Sequence, residues 1–384
     1  MKKNSPLEIF LSFLKLGVSA FGGPAMVFYI KQLAVEEKNW LSEEEFNQGV
    51  ALCQIVPGAI AQNVASYTGF RAGGISGLVS AFIGFLLPAF LLLLLFSIFY
   101  KQTSSIPAFI SMFKGLKVVV VAIIANAVVN FSRSSIKKKF DPFLIFLSFA
   151  LLYFLKITPF LVIISFGIAG IFIYRSLFPS VQKIAFSSKI EQHKSGIFLL
   201  LFFIISMVLL YLFDKVLFSL ALTMSKIELL SFGGGYTALA LMYHEVVEVK
   251  KWLASSIFMD GVALGQITPG PILITSAFVG YMLKGLPGAI IGTLFMFLPS
   301  VVVIILILPY YSSLQKTPLL KRGIQGILIG FVGLLLFVLI KFAKSAPWTP
   351  ASFLLFLVCF VLIYRKINLI YIVIGGALVS LLIF

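Results

Sequence analysis

The chain has 384 residues, 60% of them apolar and only 11% charged, with a mean hydropathy of +1.11. A soluble domain of that length cannot hide so much apolar surface, whereas a bilayer-embedded one need not, so a soluble enzyme is excluded. The formal net charge of +17 lies on no soluble basic module; nucleic acid is excluded as a partner, and the charge is read as loop charge that sets topology.

Apolar stretches long enough to cross a hydrocarbon layer of roughly 30 Å recur along almost the whole chain. In order they fall near 7–34, 46–70, 74–100, 107–131, 141–156 and 159–177. After a polar link come 196–213 and then 217–246, 256–282, 285–308, 319–342, 350–364 and 367–384. The fold expected is an all-α polytopic membrane protein of about 13 segments. Its divisions are an N-terminal unit over 1–178, a polar linker plus an extra membrane segment over 179–215, and a C-terminal unit over 216–384. Glu8 and Lys15 interrupt the first apolar run, so it is read as a retained membrane segment rather than a signal peptide. With the N-terminus in the cytoplasm of a prokaryotic inner membrane, 18 basic residues fall inside and 11 outside, the sign that topology rules require.

The two units are copies. Trp40–Gly58 and Trp252–Gly270 share 11 of 19 residues at an offset of 212. Phe21-Gly22-Gly23 answers Phe232-Gly233-Gly234, and Gly69, Gly77 and Pro88 answer Gly280, Gly288 and Pro299, all at an offset of 211. Seven crossings separate equivalent segments, so the second copy is expected upside-down, an inverted-repeat architecture common among secondary transporters. That parity survives if 7–34 and 46–70, and their counterparts, fold back as re-entrant hairpins.

What the copies share is mostly helix breakers. Gly22-Gly23-Pro24 predicts one helix ending near Ala20 and another starting at Pro24, with the new helix's first amides unpaired and at the positive end of its dipole. In a bilayer such amides must face protein, water or a ligand, and an anion is the natural occupant. Gly233-Gly234 repeats the break without a proline. Gln54-x-x-Pro57-Gly58 and Gln266-x-x-Pro269-Gly270-Pro271 form a second pair, each glutamine one turn before its proline. Asn63 and Arg71 add donors beyond the first of these. Lys15, about two turns before Gly22, is costly inside a membrane and so a candidate ligand. Glue by glycine packing, kink repair by the glutamines, snorkelling of Lys15 and a topological role for Arg71 are the structural alternatives. Acids are scarce; Glu36, His244, Glu245 and Glu248 are the candidates for carrying protons, against a plain solvated loop. Cys53 and Cys359 are read as packing residues, and no metal, cofactor or enzyme motif appears.

These residues resemble a known family. FLKLGVSAFGGPA at 13–25, W-L-x-E-E-x-F at 40–46, A-L-C-Q-x-x-P-G at 51–58 and G-x-R-x-x-G at 69–74 look like the chromate ion transporter family. SFGGGYTAL at 231–239, G-V-A-L-G-Q-I-T-P-G-P at 261–271 and G-L-P-G-A at 285–289 extend the likeness to the second half, as in the long, two-unit members. The resemblance implies a secondary transporter that exports chromate, with sulfate, a near-isosteric dianion, as a second substrate. It carries over the four breaks with Lys15, Gln54 and Gln266; Ala59, where the second half has a proline, is a departure. The expected mechanism is proton antiport with the oxyanion held near the midplane. The bilayer is the other partner, and a homodimer is left open. A carrier of another oxyanion, such as sulfate or molybdate, and an anion channel are the alternatives.

Overall fold

The computed structural model describes residues 4–19, 23–103, 106–178, 191–311 and 317–384, and every regular element among them is a helix. The first repeat contains α1 (Pro6–Ser19), α2 (Gly23–Lys31), which runs into a π-helical turn at Gln32–Glu37, α3 (Glu43–Ile55), α4 (Ile60–Thr103), α5 (Pro107–Ser135), α6 (Asp141–Tyr153) and α7 (Pro159–Ile173). The intervening α8 is Glu191–Phe213. The second repeat contains α9 (Lys215–Leu230), α10 (Gly235–Tyr243) with a π-helical turn at His244–Val249, α11 (Ser255–Ile267), α12 (Thr275–Ile307), α13 (Pro318–Ser345), α14 (Pro350–Tyr364) and α15 (Leu369–Ile383).

The repeat extends to single backbone angles. Asn39 and Lys251, at φ 50° and 53°, are left-handed just after the two π-helical turns. Gly58 and Gly270 follow at 112° and 94°, and Gly74 and Gly285 at 69° and 60°. Gly74 and Gly285 each split a long helix in two. The two arms of α4, 60–73 and 75–103, then run antiparallel. The Gln62 amide reaches the Phe82 carbonyl at 3.5 Å, 20 positions away, and a Cβ on Gly69 would strike the Gly77 carbonyl oxygen. In α12 the same clash would join Gly280 to Gly288. Only glycine lets the arms approach this closely.

The broken stretches of the first repeat also fold back. Lys38 at the end of the first π-helical turn pairs with Glu8 at the start of α1, at 2.8 Å, and Phe13 stacks on Trp40. The Tyr67 hydroxyl donates to the Glu45 carbonyl at 3.2 Å, and Arg71 pairs with the Glu45 carboxylate, so α3 and the first arm of α4 are antiparallel. A helix of 13 or 14 residues is about 20 Å long, short of the roughly 30 Å needed to cross. The described helices α1, α2 and α3 are thus each too short to cross singly. Five stretches, two of them the split helices, contain a window long and apolar enough to cross a membrane: Ile60–Thr103, Pro107–Ser135, Lys194–Phe213, Ile272–Tyr310 and Pro318–Ser345.

The chain forms two compact units, and neither coincides with a repeat. The first comprises Met1–Phe99, Phe186–Gly235 and Thr268–Ser312; the second comprises Tyr100–Ala185, Tyr236–Ile267 and Ser313–Phe384. Within the second unit the repeats exchange helices: α5 packs on α14 and α15, while α13 packs on α6 and α7. Small residues make those contacts, among them Gly115 against Ser380 and Gly326 against Phe166 and Gly170, as expected where helices associate without a hydrophobic drive. Many large apolar side chains of α6, α7, α8, α14 and α15 are exposed. They suit contact with lipid.

Candidate functional site

The first compact unit contains the four expected breaks, and described contacts link three of them. Helix α3 ends at Ile55, Val56 is extended, and α4 begins at Ile60. Proline has no N–H to continue the helix, and Gly58 turns the chain at a φ that side chains rarely adopt. The Gly58 N–H donates to the Ser231 carbonyl at 3.0 Å. The Ala59 N–H donates to the carboxyl of Glu228. These two amides at the Pro57–Gly58 break are thus taken by α9 and the residue that ends it.

Glu228 and Ser300 are both 0% exposed. The Ser300 hydroxyl lies 2.7 Å from Glu228 Oε1 and 2.8 Å from Asn63 Oδ1. Asn63 turns its amide nitrogen to the Pro57 carbonyl at 3.5 Å. Glu228 Oε2 has no hydrogen-bond partner among the described residues. Sequence reasoning missed Glu228, because the equivalent residue at an offset of 211 is Gly17 and the copies were compared for what they share. A lone acid between apolar neighbours was the signal available.

Ser231 leads into the second break, where Gly233 and Gly234 have φ of 94° and 104° before α10 starts at Gly235. A Cβ on Gly235 would strike Ile272, next to Pro271. In the third break, at Pro269–Gly270–Pro271, a Cβ on Gly270 would lie 3.2 Å from the Ala89 methyl. At the remaining one, α1 ends at Ser19 and α2 opens with Gly23 and Pro24; Gly22 lies outside the described residues. Lys15 and Gln54 are exposed, and Arg71 is held by Glu45. Gln266 belongs to the second unit, with its Nε2 buried and without a partner among the described residues.

Of the proton-carrying candidates, Glu36 is exposed in the first unit, and the other three lie in the second. Glu245 is buried. His244 Nδ1 sits 3.0 Å from Glu248 Oε2, and the Lys341 ammonium sits 2.7 Å from Oε1. Burial works to raise the Glu248 carboxyl, but hydrogen bonds from His244 and Lys341 outweigh it and hold the group below its ordinary value. These side chains line a cavity of about 230 Å³ together with Tyr153, Lys156 and Phe337. The second unit also holds an acid not singled out from sequence. Asp260, 4% exposed, accepts from the Tyr100 hydroxyl at 2.8 Å and faces Lys117 at 3.6 Å.

The sequence profile described as chromate transporter matches this chain twice, over residues 7–171 and 218–381. The unmatched interval contains α8. An uncharacterized transporter of Methanocaldococcus jannaschii is 41% identical over 100% of this chain and 96% of its own length. A chromate transport protein of Cupriavidus metallidurans is 29% identical over 97% of this chain and 92% of its own. One of Pseudomonas aeruginosa is 26% identical over 98% and 92%. No solved structure matches. Two matches to one profile cover both repeats and most of the helices described above, and the chain belongs to the chromate transporter family.

Proposed function

We propose that this chain is a secondary transporter that exports chromate across the inner membrane of a prokaryote, N-terminus inside, with sulfate as a second substrate. The oxyanion is held near the midplane by helix N-termini at the broken segments, assisted by Gln54, Gln266 and Lys15, and its movement is coupled to the proton gradient. Inverted repeats whose discontinuous helices aim their N-termini at an anionic group are a recurrent way to build such a site. The observation that carries the reading is the meeting of breaks within one compact unit: Gly58 bonds to Ser231, and Gly235 lies against Ile272. Relatives named as chromate transport proteins support the choice of substrate.

Chromate flux in proteoliposomes tests it. Gln54→Ala, Gln266→Ala and Lys15→Met are each expected to slow flux in protein that still folds; unchanged flux would remove that residue from the site. Competition by sulfate and molybdate ranks the substrates, since tetrahedral dianions differ too little in size for the sequence to separate them. Currents far above carrier turnover in a planar bilayer would replace a carrier with a channel.

A further inference from the structure

Hydrogen atoms around Ser300 do not suffice for an ionised Glu228. The Ser300 hydroxyl has one hydrogen, yet three oxygens stand in its reach: Glu228 Oε1 at 2.7 Å, Asn63 Oδ1 at 2.8 Å and the Phe297 carbonyl at 3.2 Å. The Asn63 nitrogen is committed to the Pro57 carbonyl, which can only accept, so Oδ1 is the atom that faces Ser300. A proton on Glu228 completes the chain, with the acid donating to Ser300 Oγ and Ser300 donating to Asn63 Oδ1. No cation among the described residues pairs with Glu228. Among the described residues, Ala59 just before α4 and Ser300 of α12 face Glu228, with Asn63 of α4 behind Ser300; all are uncharged, and Lys226 on its own helix is exposed. A carboxylate buried without a cation is costly and tends to neutralise.

We propose that Glu228 is the proton-binding residue of the transport cycle and that its proton accompanies the oxyanion. The inference rests on reading the breaks as the oxyanion site. When ionised, the Glu228 carboxylate is itself an anion at the Gly58–Ala59 amides and repels a dianion from that break. When protonated, it removes the repulsion. Proton binding and anion binding therefore favour each other, and by reciprocity a bound dianion raises the proton occupancy of Glu228. The coupling is co-transport, where the sequence reading expects exchange; on export the proton moves against an inward gradient, and the net negative charge leaving an inside-negative membrane supplies the drive.

The test uses the purified full chain and sulfate, which keeps both charges through the neutral range, with chromate in parallel. Titration calorimetry in two buffers of different ionisation enthalpy counts protons exchanged on binding. Wild type is expected to take up protons and to bind more tightly as pH falls; Glu228→Gln, which keeps a donor toward Ser300 but cannot ionise, is expected to bind with no proton uptake and a flat pH profile. Infrared spectroscopy of the anion-free protein supplies a second readout: a protonated carboxyl band that fades as pH rises and is missing from Glu228→Gln. Proton release, uptake that persists in the variant, or a band unchanged by the substitution overturns the proposal while leaving the oxyanion site standing. Failure of wild type to bind either anion removes the site and the proposal together.

Discussion

The Pro57–Gly58 and Pro269–Gly270 breaks are the same cradle built twice and furnished differently. Around Gly58 stand Glu228 and Ser300; at an offset of 211 their counterparts are Gly17 and Ala89, and Ala89 is what stands beside Gly270. Gly17 serves packing, since a Cβ there would lie 2.6 Å from the Phe85 carbonyl oxygen of α4. The two copies thus share a backbone, while an acid and a hydroxyl stand at one break only. What the copies share is architecture, and what they do not share is the chemistry.

The strongest test of that contrast is a methyl at each glycine. Both positions carry a positive φ, a strain of about 1–3 kcal/mol for a side chain, but at Gly58 the added Cβ also runs into the Glu228 carboxyl. Gly58→Ala is expected to abolish transport and lower the melting temperature, and Gly270→Ala to do so less. Equal damage would mean that Glu228 adds nothing to the first cradle. Next in size, Gly69→Ala and Gly280→Ala press on carbonyl oxygens of equivalent hairpins. Each should cost about 1–3 kcal/mol of stability in detergent, and by similar amounts; a large inequality would show the hairpins to be unequal partners. Ser300→Ala makes the first cradle resemble the second in one step. It strands the Glu228 carboxyl hydrogen as a donor and Asn63 Oδ1 as an acceptor and should cost about 1–3 kcal/mol.

The smallest effect lies outside the breaks. Glu248 is held below its ordinary value when folded, so its contribution to stability is present above the unfolded-state value and lost as pH falls through the folded one. Glu248→Gln should flatten the acid limb of the stability profile of the protein and leave the alkaline limb in place. A thermal melt at several pH values measures it, and an unchanged acid limb would put the His244–Glu248–Lys341 cluster outside the acid response.

Much of this was legible along the chain. Residue type alone determined the membrane class, the duplication and the places where helices stop, because apolar length, shared motifs and the backbone limits of glycine and proline are local properties. Helix α1 ends at Ser19 and α2 begins at Gly23, either side of the predicted break. Tertiary structure decided what fills each break. That Gly58 and Ala59 give their amides to Ser231 and Glu228, about 170 positions away, depends on how α9 and α12 pack against α4. Which described segments lie against each other was also decided by contacts such as Lys38 to Glu8 and Tyr67 to Glu45. The physical reason is common to both: a break creates a local demand for hydrogen-bond partners, but the partner that meets it is chosen by packing between distant helices, which no stretch of sequence carries by itself.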